Sequence, residues 1–205
     1  MWTDFFDRII VINLPSRLDR LLQVTEEMDK YGIDFELVDG MTSEIGGAEG
    51  LRLTVEKIFK ESIEKKHSHI LVFEDDVVFN ENPNSFMGEV IKQLPDNYWI
   101  TYLGAQCTRG FKRRYSANLL QLDGAFATHA WMISLQGMKE IIGLGLEAPI
   151  DNFIVDKIQP AQNCYITFPL LATQRAGISS IGGQFIEWDF FITPRYYQKL
   201  AEMPQ

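Results

Sequence analysis

Apolar residues along this chain gather into short, dense runs that alternate with segments of helical spacing. Arg8-Ile9-Ile10-Val11-Ile12-Asn13-Leu14 is one such run, ended by Pro15-Ser16, and it predicts a first strand. Leu18, Leu21, Leu22, Thr25 and Met28 then recur as one helical face, with Gly32 placed to close the helix. Asp34 to Val38 predicts a second strand, opening at Asp39-Gly40 into a polar loop that runs through Gly50. Leu51, Val55, Ile58, Phe59, Ser62 and Ile63 mark the inner face of a second helix with a charged outer face. A strand–helix–strand opening predicts an α/β sheet with ligand-facing loops after its strands.

The next run carries the chemistry: His69-Ile70-Leu71-Val72-Phe73-Glu74-Asp75-Asp76-Val77-Val78-Phe79. A short Val- and Ile-rich run reads as a strand buried on both faces. Carboxylates inside it are costly to bury unless something cationic meets them. Strand alternation sends Glu74 and Asp76 to one side and Asp75 to the other, so two carboxylates can converge on one ion. In open α/β sheets the ligand crevice lies beyond the carboxyl ends of the strands, where this triplet would sit. The alternative is a solvated turn at a strand end.

Beyond it, Asn84 or Ser85 caps a predicted helix carrying Phe86, Val90, Ile91 and Leu94, stopped by Pro95. Tyr98 to Gly104 predicts another strand. Arg109-Gly110-Phe111-Lys112-Arg113-Arg114-Tyr115 reads either as a solvated loop or as a mobile loop drawn to phosphate or an anionic acceptor. Asn118 to Leu122 and Ala125 to Ile133 predict two strands turning at Asp123-Gly124. A helix over Leu135 to Leu144 follows, then a short one after Pro149-Ile150 with Asp151 as N-cap. Cys164 to Phe168 predicts a strand, before a glycine- and serine-rich loop from Gly177 to Gly183 and an acidic, aromatic ending with Phe185, Glu187, Trp188 and Asp189. No repeat or linker divides the chain, so a single domain over 1–205 is expected.

Composition narrows the classes. With 205 residues, 46% of them hydrophobic and 23% charged, the chain is long enough for a real core. No apolar stretch reaches the roughly 18 residues that span a bilayer. The opening Met1-Trp2-Thr3-Asp4 lacks the basic region of a secretion signal, and Cys107 and Cys164 read as buried thiols of a reducing compartment. A cytoplasmic protein, free or peripheral to a membrane, is therefore expected. A net charge of −9 argues against a nucleic-acid partner. It leaves room for a small anionic ligand bridged to carboxylates by a divalent ion.

With these residues laid out, the chain resembles the family 25 glycosyltransferases, which include enzymes of bacterial lipooligosaccharide assembly and of collagen galactosylation. The resemblance runs through Asn13-Leu14-Pro15-Ser16-Arg17-Leu18-Asp19-Arg20, Val38-Asp39-Gly40, Gly47-Ala48-Glu49-Gly50 and, most specifically, Leu71-Val72-Phe73-Glu74-Asp75-Asp76-Val77. Thr128-His129-Ala130-Trp131 and Pro149-Ile150-Asp151 extend it, as does Phe168-Pro169-Leu170-Leu171 with Gln174 and Ser179. The chain departs from the family at Gly50-Leu51-Arg52-Leu53-Thr54-Val55, where many members carry a cysteine and a serine-histidine pair.

The resemblance implies a GT-A-like fold, a Rossmann-type α/β/α sandwich with a mostly parallel central sheet. It implies an inverting, metal-dependent hexosyltransferase moving galactose or a similar sugar from a UDP-sugar to a glycan, lipid-linked glycan or protein hydroxyl. Asn13, Leu14, Arg17, Arg20 and Asp39 would then face base, ribose or phosphate, although Arg17 and Arg20 also read as surface charges and Asp39 as a turn former. Glu74 and Asp76, supported by Asp75, would hold Mn²⁺ or Mg²⁺, since oxygen ligands suit hard cations. His129 is a further candidate metal ligand, or else a hydrogen-bonded structural histidine. Inversion needs a general base for the attacking hydroxyl, and Asp151 is the candidate, with Asp123, Glu187 and Asp189 behind it. The alternatives are a catalytically inactive nucleotide-sugar-binding module and a metal-dependent phosphoesterase, the latter poorly served by three histidines.

Overall fold

Each apolar run does form a strand, and the alternation along three of them feeds two separate cores. The computed structural model describes residues 1–180 and 182–186, and residues 107–110 through their backbone alone. Its elements are β1 (Arg8–Asn13), α1 (Leu18–Asp29), β2 (Glu36–Asp39), α2 (Gly47–Glu64), β3 (His69–Glu74), β4 (Val77–Phe79) and α3 (Pro83–Gln93). They continue with β5 (Ile100–Tyr102), β6 (Gln106–Arg114), β7 (Leu119–Phe126), β8 (Ala130–Ser134), α4 (Leu135–Gly143) and α5 (Ile150–Phe153). The short strands β9 (Cys164–Thr167), β10 (Ala172–Gln174), β11 (Gly177–Ile178) and β12 (Phe185–Ile186) complete the described chain.

Eight strands form one sheet in the order β2-β1-β3-β8-β5-β9-β7-β6. The β1–β2, β1–β3 and β5–β9 pairs are parallel, and β8 and β7 run against their neighbours on both sides. Six of the eight strands therefore share one direction, the sense in which the sheet is mostly parallel. Ile10, Ile70, Val72, Trp131 and Ile133 face one core, where Val55, Ile58 and Phe59 of α2 and Met138 and Ile141 of α4 meet them. Val11, Leu71, Phe73 and Met132 face the other, covered by Val24 and Met28 of α1 and Met87 and Val90 of α3. Helices on both faces of one sheet make the α/β/α sandwich that the sequence predicts.

Several expectations are corrected. In α1 the apolar spacing is right for Met28, which is buried, and for Leu21, which packs against the core, but Leu18 is 65% and Leu22 67% exposed, whereas Arg20, Val24 and Glu27 are buried. The polar pair turns inward because each has a buried partner. Glu27 Oε1 accepts the Phe79 N–H at 2.8 Å, and Arg20 meets two carboxylates. α2 starts at Gly47, inside the expected loop, and α3 is capped by Asn82, whose side chain accepts from Asn84 N with Pro83 in the first turn. Asp151 is no N-cap; Pro149 holds that position and Asp151 lies within the first turn of α5.

The basic segment from Arg109 is no loop but part of β6, the edge strand of the sheet. Basic side chains there discourage another chain from adding to the edge. Arg113 Nε donates to Gln121 Oε1 at 3.0 Å, and Arg114 donates to the backbone carbonyls of Ser116 and Ala117, so both spend hydrogen bonds inside the chain. Nor does the chain turn at Asp123-Gly124. β7 runs straight through, because Gly110 opposes Gly124 and Phe111 opposes Leu122, leaving Asp123 as the extra, exposed residue of a bulge. The turn comes at Ala127, in the left-handed region at φ 83.

The inward-facing polar pair of α1 makes a stability prediction. Arg20→Met strands two buried carboxylates and should cost roughly 3–5 kcal/mol in denaturant unfolding. Glu27→Ala orphans the Phe79 N–H and should cost about 1–3 kcal/mol, while Leu22→Ala, though it removes the larger apolar group, should stay within about 0.5 kcal/mol. The reverse ranking would mean that α1 packs by its leucines.

Candidate functional site

β1 and β3 lie parallel with Ile12 opposite Glu74, so their carboxyl ends open at the same sheet edge. A cleft of about 420 Å³ lies there. Its walls are the loop after β2 (Gly40, Met41, Thr42 and Ser43), the start of α2, the Glu74-Asp75-Asp76 triplet, the turn Phe126-Ala127-Thr128, Pro149-Ile150-Asp151, and the β11–β12 hairpin. The β2 loop is tied down by Gly40 N to Asn13 O and Met41 N to Thr54 Oγ1, both 2.8 Å. Gly50 lets that loop come so close, since a Cβ there would meet Met41 O at 2.2 Å.

Strand alternation does not set the carboxylates' positions: Asp75 joins Asp76 on one partner instead of facing the other way. β3 ends at Glu74 and the chain turns at Asp75-Asp76, so the two aspartates fall on the same partner. Arg20 Nη1 donates to Asp75 Oδ1 at 2.7 Å and to Asp76 Oδ2 at 3.2 Å, and its Nη2 donates to Ile178 O at 2.7 Å. Arg17 reaches the same hairpin at Ser180 Oγ, 3.1 Å, while paired with Asp19. Arg20 is thus neither a surface charge nor directed at a ligand alone; it neutralises the acidic turn and ties it to the hairpin. Gln174 adds longer contacts of 3.4 and 3.5 Å from Nε2 to the Asp76 carboxylate.

Glu74 takes a separate position. Its Oε1 accepts the Thr128 hydroxyl at 2.8 Å, and its N–H donates to His129 O at 2.9 Å. Asp151 Oδ2 accepts the Ala127 N–H at 3.1 Å. Burial first, then the charges of Asp76, Asp151 and Asp75, push the Glu74 carboxyl above its ordinary range. Burial likewise raises Asp76 and Asp75 against the pull of Arg20, and raises Asp151 against its two hydrogen bonds. Among the described residues that line the cleft, one guanidinium faces four carboxyls, so positive charge is short there.

That shortage and the all-oxygen donor set fit a hard divalent cation that arrives with a diphosphate, which needs only one or two protein carboxylates. Among the described residues no three His, Cys, Asp or Glu side chains form a ready-made cage. His129 is buried to 0% exposure, with its Nε2 packed against Gly104 beside the Ala172 carbonyl. That is the structural alternative for this residue, which is not itself among those that line the cleft. Leu14 lines the cleft, while Asn13 is buried with Nδ2 on Leu14 O. Asp39 is exposed beside the lining residue Gly40, and Asp123 is exposed on its bulge. Glu187 and Asp189 lie outside the described residues. Sequence reasoning missed Ala127, Thr128 and Gln174 as parts of the site. Thr128 and Gln174 stood in stretches that carry the family resemblance, without a site role assigned to either, and Ala127 carried no signal.

No family model matches the chain. Over 186 aligned residues, 73% of this chain, it is 24% identical to procollagen galactosyltransferase 2 of Homo sapiens, of which it spans 30%. Among solved structures it is similar to A197 from STIV, with a TM-score of 0.54 and 12% identity over 88% of this chain and 93% of that one. It is also similar to a glycosyltransferase involved in the glycosylation of the major capsid of PBCV-1, with a TM-score of 0.50 and 16% identity over 77% of this chain and 79% of the other. The fold is that of the GT-A-like glycosyltransferases, a mixed α/β sandwich around one large sheet.

Proposed function

We propose that this chain is an inverting, divalent-metal-dependent glycosyltransferase that moves galactose or a similar hexose from a UDP-sugar to a hydroxyl of a glycan, lipid-linked glycan or protein. The observation that carries the reading is the meeting of Glu74, Asp75, Asp76 and Asp151 around one cleft at the carboxyl ends of β1 and β3. The GT-A-like fold and the distant similarity to a galactosyltransferase support it. No helix among the described residues is long and apolar enough to cross a membrane.

Glu74 and Asp76 would hold Mn²⁺ or Mg²⁺, which when bound supplies Lewis-acid stabilisation of the leaving diphosphate. The Gly40 to Ser43 loop, with its backbone and hydroxyls, would hold the nucleoside, and Leu14 would pack beneath it. Asp151 is the base. Its Oδ2 is oriented by the Ala127 N–H, which leaves Oδ1 to take the proton of the attacking hydroxyl. Burial, by raising its affinity for that proton, moves it toward the range where general bases work well. Arg20 keeps Asp75 and Asp76 compatible with burial until the cation is present.

A binding module without turnover is the second reading, favoured by one observation: Arg20 already provides the aspartates with an internal cation. Calorimetry of UDP binding separates the two. For the enzyme, EDTA should weaken UDP binding at least about tenfold, a loss of about 1.4 kcal/mol, and Asp76→Ala should mimic the chelator. Equal affinity with and without metal would favour the module.

Asp151→Asn tests the base. It keeps the side chain's shape and an oxygen for the Ala127 N–H, so Mn²⁺ and UDP should bind as in the unaltered protein. Transfer should slow by about 10²–10⁴-fold. Near-normal transfer by this variant removes Asp151 from catalysis.

A further inference from the structure

Three consecutive residues, Ala127 to His129, contact Glu74 and Asp151 in the cleft. β7 ends at Phe126, and Ala127 adopts φ 83, an uncommon conformation for a residue with a Cβ. That turn aims the Ala127 N–H at Asp151 Oδ2, 3.1 Å away. The next residue, Thr128, is only 4% exposed and lines the cleft. Its hydroxyl donates to Glu74 Oε1 at 2.8 Å and stands near the Asp151 carboxylate. The carbonyl of His129 then accepts the Glu74 N–H at 2.9 Å. Glu74 belongs to the end of β3 and Asp151 to α5, so this turn is a shared polar contact between them.

We infer that Thr128 is a positioning residue for sugar transfer: its hydroxyl sits between Glu74 and Asp151 and holds the donor side of the cleft in register with the base. The inference rests on the reading of Asp151 as base and assigns a role that neither motif nor charge had given to Thr128. Packing alone does not explain a hydroxyl here. Valine has the same branched shape, so a purely space-filling position would accept it, whereas a buried hydroxyl between two carboxylates is there to donate. The hydroxyl carries one proton and serves one carboxylate at a time. Glu74 receives it in the structure, and Asp151 is held meanwhile by the Ala127 N–H. Removing the hydroxyl lets the two acids drift relative to each other, and small misplacements of reacting groups are expensive in rate.

The test compares Thr128→Val, Thr128→Ser, Asp151→Asn and the Thr128→Val/Asp151→Asn double variant. Turnover with a UDP-hexose and binding of UDP with Mn²⁺ are both measured. Thr128→Val should bind UDP within about threefold of the unaltered protein yet lose at least about tenfold in kcat with little change in donor KM. Thr128→Ser, which restores the hydroxyl, should recover most of that loss. Because Thr128 affects the rate by keeping Glu74 in register with Asp151, the double variant should be no slower than Asp151→Asn alone. An unchanged kcat in Thr128→Val, a parallel loss of UDP binding and turnover, a serine variant as slow as the valine one, or additive losses in the double variant would each overturn the inference. If Thr128→Val does not fold, Thr128→Ala replaces it in the same comparison. An unaltered protein that binds UDP but transfers from no UDP-hexose overturns the proposed function itself and this role with it. An active protein indifferent to Thr128 overturns only the role.

Discussion

Arg20 and the aspartate pair it meets stand 55 and 56 residues apart in the chain, and much of the cleft depends on their contact. Two adjacent carboxylates withdrawn from water would be untenable alone, since desolvation and mutual repulsion both act against them. A guanidinium suits the task because its planar fork can donate in several directions while keeping its charge. Here one end serves both aspartates and the other reaches Ile178 O. Three parts of the fold are thereby bound to a single charge: α1, the turn after β3, and the β11–β12 hairpin. The inward rotation of α1 follows, since a helix that delivers Arg20 to the interior must send Leu18 and Leu22 to solvent. Glu27, two turns on along the same face, completes the arrangement by accepting the Phe79 N–H.

The same contact explains why the long apolar run breaks. A strand continued through Glu74-Asp75-Asp76 would place Asp75 on the opposite face from its neighbours. By turning there, the chain brings both aspartates to Arg20 and releases β4 from the main sheet. β4 then pairs antiparallel with β10, with Val77 opposite Gln174, which carries the Gln174 amide to Asp76. Arg175 N donates to Asp76 O at 2.6 Å, closing the same junction from the backbone. The acidic turn is thus the corner where two sheets meet, and it opens on the cleft.

The opposite wall is built by another broken expectation. Asp123-Gly124 has the composition of a hairpin turn, yet bulging against Gly110 and Phe111 lets β7 pass through it. The strand consequently reaches Phe126 before turning, and the turn falls at Ala127 beside Asp151. Had the chain turned at Asp123, the Ala127 N–H and the Thr128 hydroxyl would not face the two acids. The left-handed backbone at Ala127 is a local cost of the kind that persists where surrounding contacts hold it, often at functional sites.

Much of this was legible in the residues themselves. The Val- and Ile-rich runs determined β1 and β3, the 3.6-residue spacing determined α2, and the acidic triplet marked the cleft end of the sheet, because burial and periodicity are properties of local sequence. Asp151 was also marked, through the Pro149-Ile150-Asp151 pattern, although its contact with Ala127 was not. What local pattern could not supply was which polar residues would turn inward and what they would meet. Arg20 and Glu27 looked like the outer face of α1, and the basic run of β6 looked like a loop, because hydropathy scores a charge as solvated until a partner is known. Arg20 and Glu27 find their partners 55 and 52 residues away, where the turn after β3 and β4 pack against α1, and Arg113 reaches Gln121 only when β6 pairs with β7. The desolvation of a charge and the compensation it receives are decided at that distance, so the interior of the cleft belongs to the tertiary structure alone.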